Sequence, residues 1–72
     1  MFTGYRIEDG YIIGEEMSGR FYIEDGLIKG PKNSGKYFIH DNCIFGPQEN
    51  GLFYIEEGCV FGPSKDVPWL RD

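Results

Sequence analysis

Apolar and polar residues alternate along the chain in one phrase that occurs four times, at a spacing of 16 residues. Each copy has two short apolar stretches on either side of an acidic residue and a glycine or asparagine. Three copies read GRFYIEDGLIKGP (19–31), GKYFIHDNCIFGP (35–47) and GLFYIEEGCVFGP (51–63). The first copy, GYRIEDGYIIG (4–14), is one residue shorter before its isoleucine and has no proline. An internal repeat of this kind predicts one structural unit per copy.

Each copy has the pattern of a β-hairpin. Alternating residues rich in Ile, Tyr and Phe favour strands. The residues between the two stretches favour a tight turn, because glycine and asparagine tolerate the positive φ that such a turn needs. Gly-Pro ends the second strand, since proline cannot continue a hydrogen-bonded ladder. The sequence therefore predicts eight strands in four hairpins, and the turn positions are Asp9-Gly10, Asp25-Gly26, Asp41-Asn42 and Glu57-Gly58.

The strand register depends on the length of these turns. A two-residue turn pairs Ile23 with Ile28 and Tyr22 with Lys29, whereas a three-residue turn with a bulge at Gly26 reverses the faces of the second strand. We favour the two-residue turn, because it places every position that is apolar in all four copies on one side. That side contains Tyr5, Ile7, Ile12, Phe21, Ile23, Ile28, Tyr37, Ile39, Ile44, Phe53, Ile55 and Val60.

Four hairpins with one apolar face each can bury those faces around a common axis. We predict a single all-β domain over residues 1–63, with pseudo-fourfold symmetry around a central apolar core. The C-terminal tail, residues 64–72, is expected to pack on the domain or on a neighbouring subunit. Two alternatives are a small eight-stranded up-and-down barrel and an open meander that pairs with another chain. The length of 72 residues suits one small domain only.

The segment SGRFYIEDGLIKGPKNSGKYFIHDNCIFGPQENGLFYIEEGCVFGP resembles bacterial proteins called fourfold β-flower domains. The resemblance covers residues 3–63. It implies a flower-like fold of four tandem hairpins and a bacterial or phage origin, and it supplies no activity or catalytic residues to transfer. The first copy departs from the phrase by its shorter start, its Arg6 and its missing proline, so we expect imperfect symmetry there.

Charge and composition narrow the classes of function. The net charge is −5, and the seven Lys and Arg are scattered singly. Nucleic acid and anionic membrane are therefore unexpected partners, because both require a basic patch. The start of the chain, MFTGYRIEDG, lacks the basic and apolar regions of a signal peptide. We expect a cytoplasmic protein whose two cysteines are free thiols.

His40 and Cys43 are the first candidates for chemistry. A two-residue turn places them opposite each other on the outer face, where an imidazole could activate a thiol. Together with Cys59 and Glu56 they could also form a metal site. We favour a simpler interpretation, because both residues occupy ordinary positions of the repeat and no CxxC or HxxxH spacing exists. We predict no catalytic residue, metal or cofactor, and retain a reactive-pair candidate of His40, Cys43 and Cys59.

Seven carboxylates surround the predicted turns. A ring of carboxylates could bind a cation. We attribute them instead to turn formation and solubility. They are Glu8, Asp9, Glu24, Asp25, Asp41, Glu56 and Glu57.

The outer faces of the third and fourth copies are apolar, unlike those of the first two. The outer pairs are Arg6/Ile13, Tyr22/Lys29, Phe38/Phe45 and Tyr54/Phe61. Such a surface is covered either by another part of the chain, here the tail, or by a partner. We therefore predict a non-catalytic interaction module that self-associates or binds a protein partner, and a small-molecule or glycan binder as the alternative. The predicted interface residues are Phe38, Phe45, Tyr54, Phe61 and Trp69.

Overall fold

The computed structural model of the protein describes residues 1–14 and 19–71. Every strand in these residues pairs antiparallel with the next, and the last pairs with the first, so that the sheet closes into a small barrel. The all-β prediction is confirmed in its eight-stranded barrel form, whereas the open meander is wrong because β1 and β8 pair. The elements are β1 (Phe2–Glu8), β2 (Tyr11–Ile13), β3 (Phe21–Glu24), β4 (Leu27–Lys29), β5 (Tyr37–His40), β6 (Cys43–Phe45), β7 (Phe53–Glu56), β8 (Cys59–Phe61) and a 3₁₀ helix (Pro68–Leu70).

The hairpin turns have two residues. In the second hairpin Glu24 pairs with Leu27, which leaves only Asp25 and Gly26 between the strands. These two residues have φ of 54° and 77°, and the central turn residues of the other three hairpins are also positive. This is the type I′ geometry, whose twist matches that of the flanking strands. The predicted register is confirmed, and the three-residue alternative is wrong.

One backbone hydrogen bond recurs at every junction between neighbouring hairpins. Ile23 N–H donates to the Gly10 carbonyl over 2.7 Å. The bond recurs at the other three junctions with the same length, and the one from Ile7 to Gly58 closes the barrel. The remaining two run from Ile39 to Gly26 and from Ile55 to Asn42. All four turns therefore lie at one end of the barrel, here called the turn end, and the described connections between hairpins lie at the opposite end, here called the linker end.

The inner face carries the predicted core. One aromatic ring and one aliphatic side chain from each hairpin are fully buried, whereas the isoleucines nearest the turns are only partly buried. In the third hairpin the Tyr37 ring packs directly over Gly46, where an added Cβ would lie 2.2 Å from Cδ2 of the ring. The same arrangement occurs in every hairpin. The glycine that ends each repeat is therefore required by ring packing, and in three of the four copies it also precedes a strand-ending proline.

The junction of β8 with β1 departs from the other three. At those junctions a glycine N–H, such as that of Gly35, donates to the carbonyl of the buried isoleucine of the preceding hairpin. Here the hydroxyl of Thr3, a buried residue, donates to the Val60 carbonyl over 2.7 Å. The same hydroxyl accepts a bond from Tyr5 N–H at 3.2 Å. The imperfect symmetry expected in the first copy thus has a physical cause, because a side-chain donor replaces the glycine amide.

The C-terminal tail closes the linker end. Val67, Pro68 and Trp69 are buried, and the Trp69 ring meets the inner Phe53 ring edge-on, with centroids 6.2 Å apart. The side-chain amide of Asn33 donates to the carbonyls of Trp69, at 2.9 Å, and of the residue two positions on, at 2.7 Å. None of the helices in residues 1–14 and 19–71 has the length and apolar character needed to cross a bilayer.

Arg71 fastens the end of the tail. Its guanidinium lies 2.7 Å from the Glu49 carboxylate in the linker between the third and fourth hairpins, and 3.2 Å from the Asp66 carboxylate. The hydrogen bond that this guanidinium donates to Glu49 raises its pKa above the ordinary value. The tail therefore packs across the end of the barrel, where it contacts the core.

Candidate functional site

The aromatic face consists of Phe38, Phe45, Tyr54 and Phe61, one from each of β5 to β8, on the outside of the barrel. Each residue alternates with an inward core residue, because successive side chains of a strand point to opposite faces. The rings of Phe38 and Phe45 stack with centroids 5.5 Å apart, and those of Tyr54 and Phe61 with centroids 5.6 Å apart. Phe38 is 45 % and Tyr54 40 % exposed. The predicted outer pairs therefore meet as two stacked ring pairs on adjacent hairpins.

Two further residues enlarge the aromatic face. Phe2 pairs with Phe61 across the β1–β8 junction, and the ring centroids are 5.7 Å apart. Leu52 precedes β7 and is 55 % exposed. The sequence analysis missed both. Alignment of the copies could have identified Leu52 as part of the apolar surface, because it is a leucine at the position where the second and third copies have Arg20 and Lys36.

The exposed apolar area reaches the range of functional patches. Phe2, Phe38 and Tyr54 are 48, 45 and 40 % exposed. Since an aromatic side chain offers ~200 Å², these three present about 270 Å² together. Leu52 and the edges of the partly buried rings add to this figure. The largest patch on a typical monomer is about 300–600 Å² and is often functional.

The first and second hairpins each carry an ion pair on the outer face. Arg6 forms an ion pair with Glu8, and Lys29 Nζ lies 2.9 Å from Glu24 Oε1. The hydrogen bond that Lys29 donates to Glu24 raises the pKa of Lys29 above its ordinary value. Residues 37–61 contain no Lys or Arg. The Lys and Arg side chains of the strands therefore lie on the first two hairpins, which also expose Tyr11 and Tyr22, with ring centroids 6.3 Å apart.

His40 and Cys43 lie opposite each other, as the register predicts. The His40 imidazole is largely exposed and lies 3.4 Å from the Asp41 carboxylate, with which it pairs when protonated. Its ring centroid is 6.5 Å from that of Phe45, at the edge of the aromatic face. The imidazole is thus placed beside a solvent-exposed carboxylate and a ring.

The second cysteine lies apart from this pair. Cys59 is opposite Glu56, and β7 separates it from Cys43. Two strand spacings amount to roughly 9.5 Å, which exceeds the Cα separation of about 7 Å that a disulfide permits. The two thiols are free. Within residues 1–14 and 19–71, no group of three or more His, Cys, Asp and Glu side chains could hold a metal ion.

A cleft of about 480 Å³ opens at the turn end between the third and fourth hairpins. Asp41, Cys43, Tyr54, Glu56 and Glu57 are among the residues that line it. Tyr54 belongs both to the cleft and to the aromatic face, so the two features are continuous. The cleft therefore combines carboxylates with one face-forming ring.

Trp69 is separated from the other predicted interface residues. It is 1 % exposed and packs on the inner ring of Phe53, at the linker end of the core. Its indole N–H has no hydrogen-bond partner among the residues that the structure describes. The tail that carries Trp69 thus leaves Phe38 and Tyr54 exposed on the outer face.

The comparisons with known proteins add no relative. Protein-family models, curated proteins and solved structures were each compared with the chain, and none of them matches it.

Proposed function

We propose that the protein is a non-catalytic interaction module that buries its aromatic face against a protein partner or a second copy of itself. The observation that carries this proposal is the pair of stacked, exposed ring pairs on four adjacent strands of a closed barrel. Aromatic residues are enriched at the centres of protein interfaces. Rings held by paired strands also lose little conformational freedom when they are covered.

The exposed aromatic area determines how much free energy such an interaction can gain. Burial of about 270 Å² of exposed aromatic surface is worth about 7 kcal/mol before the entropic cost of association. A stable complex buries ~800 Å² on each partner. The aromatic face therefore supports the centre of an interface, and polar residues around it must supply the rim.

We also propose a bacterial origin and a cytoplasmic location for the protein. The resemblance of the repeat phrase to fourfold β-flower domains supports a bacterial source. The two free thiols suit a cytoplasmic location, where cysteines stay reduced.

Self-association is tested by sedimentation velocity over a wide range of protein concentration. The double variant Phe38→Thr/Tyr54→Thr removes one ring from each stacked pair. Tyr22→Thr is its matched control, because Tyr22 occupies the same outer position in the second hairpin. If the partner is a second copy, the mass of the wild type and of the control should rise with concentration, and that of the double variant should stay monomeric.

If the wild type stays monomeric, a second copy is excluded as the partner. The same three proteins then serve as baits in the source cells. A partner retained by the wild type and by Tyr22→Thr, but lost from Phe38→Thr/Tyr54→Thr, supports the proposal. Equal retention by all three proteins contradicts it.

A further inference from the structure

The second and fourth hairpins differ at one pair of equivalent positions. In the second hairpin Lys29 Nζ reaches the Glu24 carboxylate across the strand pair, at 2.9 Å. The equivalent residues in the fourth hairpin, 32 positions further along, are Phe61 and Glu56. The carboxylate has therefore kept its place while its cation has been replaced by a ring of the aromatic face.

The unpaired carboxylate stands in the cleft beside that face. Glu56, its neighbour Glu57 and Asp41 line the cleft together with the Tyr54 ring and Ile55. Across the described chain, the structure has no ion pair to Glu56 or Glu57. A Lys or Arg side chain suits this surrounding, because its stem can lie along the ring and the isoleucine while its head meets carboxylates.

We propose that the partner covering the aromatic face is a basic protein segment, whose Lys or Arg enters the cleft and pairs with Glu56 and Glu57. Its apolar side chains cover Phe38, Phe45 and Tyr54. This inference rests on the proposed function and names the chemistry of the partner.

Charge complementarity distinguishes this partner from a second copy. In a twofold dimer each aromatic face meets the same face, so a cation for the cleft must come from that surface. Residues 37–61 supply no Lys or Arg, and the nearby Arg6 is paired with Glu8. Such a dimer would also bring like charges of its two protomers together, which costs affinity.

The carboxylates are expected to change affinity by a measurable factor. One exposed ion pair contributes up to about fivefold. Removing both Glu56 and Glu57 should therefore weaken binding of a basic segment roughly five- to tenfold. The effect should shrink at high salt, because the cleft is open to solvent.

The probe is a random peptide library displayed on phage and selected on the wild-type barrel. The test variant is Glu56→Gln/Glu57→Gln. Its matched control, Asp9→Asn/Asp25→Asn, removes the same charge from the turns of the first two hairpins, which do not line the cleft, and asparagine tolerates the positive φ of both turn positions. We expect the selected peptides to combine Lys or Arg with aromatic or aliphatic residues. Exchanging their cation for citrulline should weaken binding to the wild type and to the control, but not to the test variant.

Three results would overturn the inference: selection of neutral or acidic peptides, equal affinity for all three proteins, or no retained peptide at all. Phe38→Thr/Tyr54→Thr separates its failure from that of the proposed function. If this variant loses the peptides while Glu56→Gln/Glu57→Gln does not, the aromatic face remains an interface and the basic partner is wrong. If neither variant changes binding, both proposals fail.

Discussion

Thr3→Val tests how the barrel closes. Valine has nearly the shape of threonine and favours strands equally well, so the substitution removes little besides the hydroxyl. That hydroxyl donates to the Val60 carbonyl and accepts from Tyr5 N–H. Both backbone groups lose a partner in a site where Thr3 itself is 3 % exposed.

The expected loss of stability is about 2–3 kcal/mol. A buried polar group left without its partner costs ~1–3 kcal/mol, and the 3.2 Å bond from Tyr5 is the weaker of the two. The loss is large for a domain of this size, since single domains are stable by only ~5–15 kcal/mol. The variant should therefore unfold at a clearly lower urea concentration, by roughly 2 M if the slope is near 1 kcal/mol per M.

Urea unfolding followed by Trp69 fluorescence measures this loss, because the indole is buried in the core. Thr3→Ser is the matched control, as it keeps the hydroxyl and removes one methyl group, worth about 1 kcal/mol. The order of stability should be wild type, then Thr3→Ser, then Thr3→Val. A valine variant as stable as the serine variant would refute the role of the hydroxyl at this junction.

Two further predictions concern packing and charge. Gly46→Ala places a methyl group 2.2 Å from the Tyr37 ring, so urea unfolding should show a loss of roughly 1–3 kcal/mol, and unchanged stability would contradict the packing role of this glycine. The hydrogen bond that Lys29 donates to Glu24 raises the pKa of Lys29 above its ordinary value of 10.5, so the stability from this pair is fully present below pH 10.5 and is lost as the pH rises through the folded-state pKa. The difference in unfolding free energy between wild type and Lys29→Met should accordingly narrow at alkaline pH, and a difference independent of pH would contradict this prediction.

Local patterns in the sequence predict the hairpins and their register. Asp25-Gly26 tolerates positive φ at both turn positions, and the matching isoleucines leave one register in which the core is continuous. These signals act between residues close in sequence. The same signals occur in all four copies, so a wrong register predicted for one copy would disagree with the registers of the other three.

Long-range features could not be predicted in the same way. Phe2 joins the aromatic face only because the first strand pairs with the last, 59 residues away. The hydrogen bond of Thr3 depends on the same closure. The sequence predicts Trp69 at the interface because Trp is a typical interface anchor, but the tail has no periodic pattern to show which surface it covers. The structure places it in the core.

Photo-crosslinking in the source cells tests the central claim most directly, namely that the aromatic face is covered by a partner. A benzoylphenylalanine replaces Phe38 on the aromatic face in one version of the protein and Tyr22, its equivalent in the second hairpin, in another. The account predicts that the probe at position 38 cross-links to a protein, either another chain or a second copy, and that the probe at position 22 does not. Equal cross-linking at both positions, or none at position 38, would contradict it.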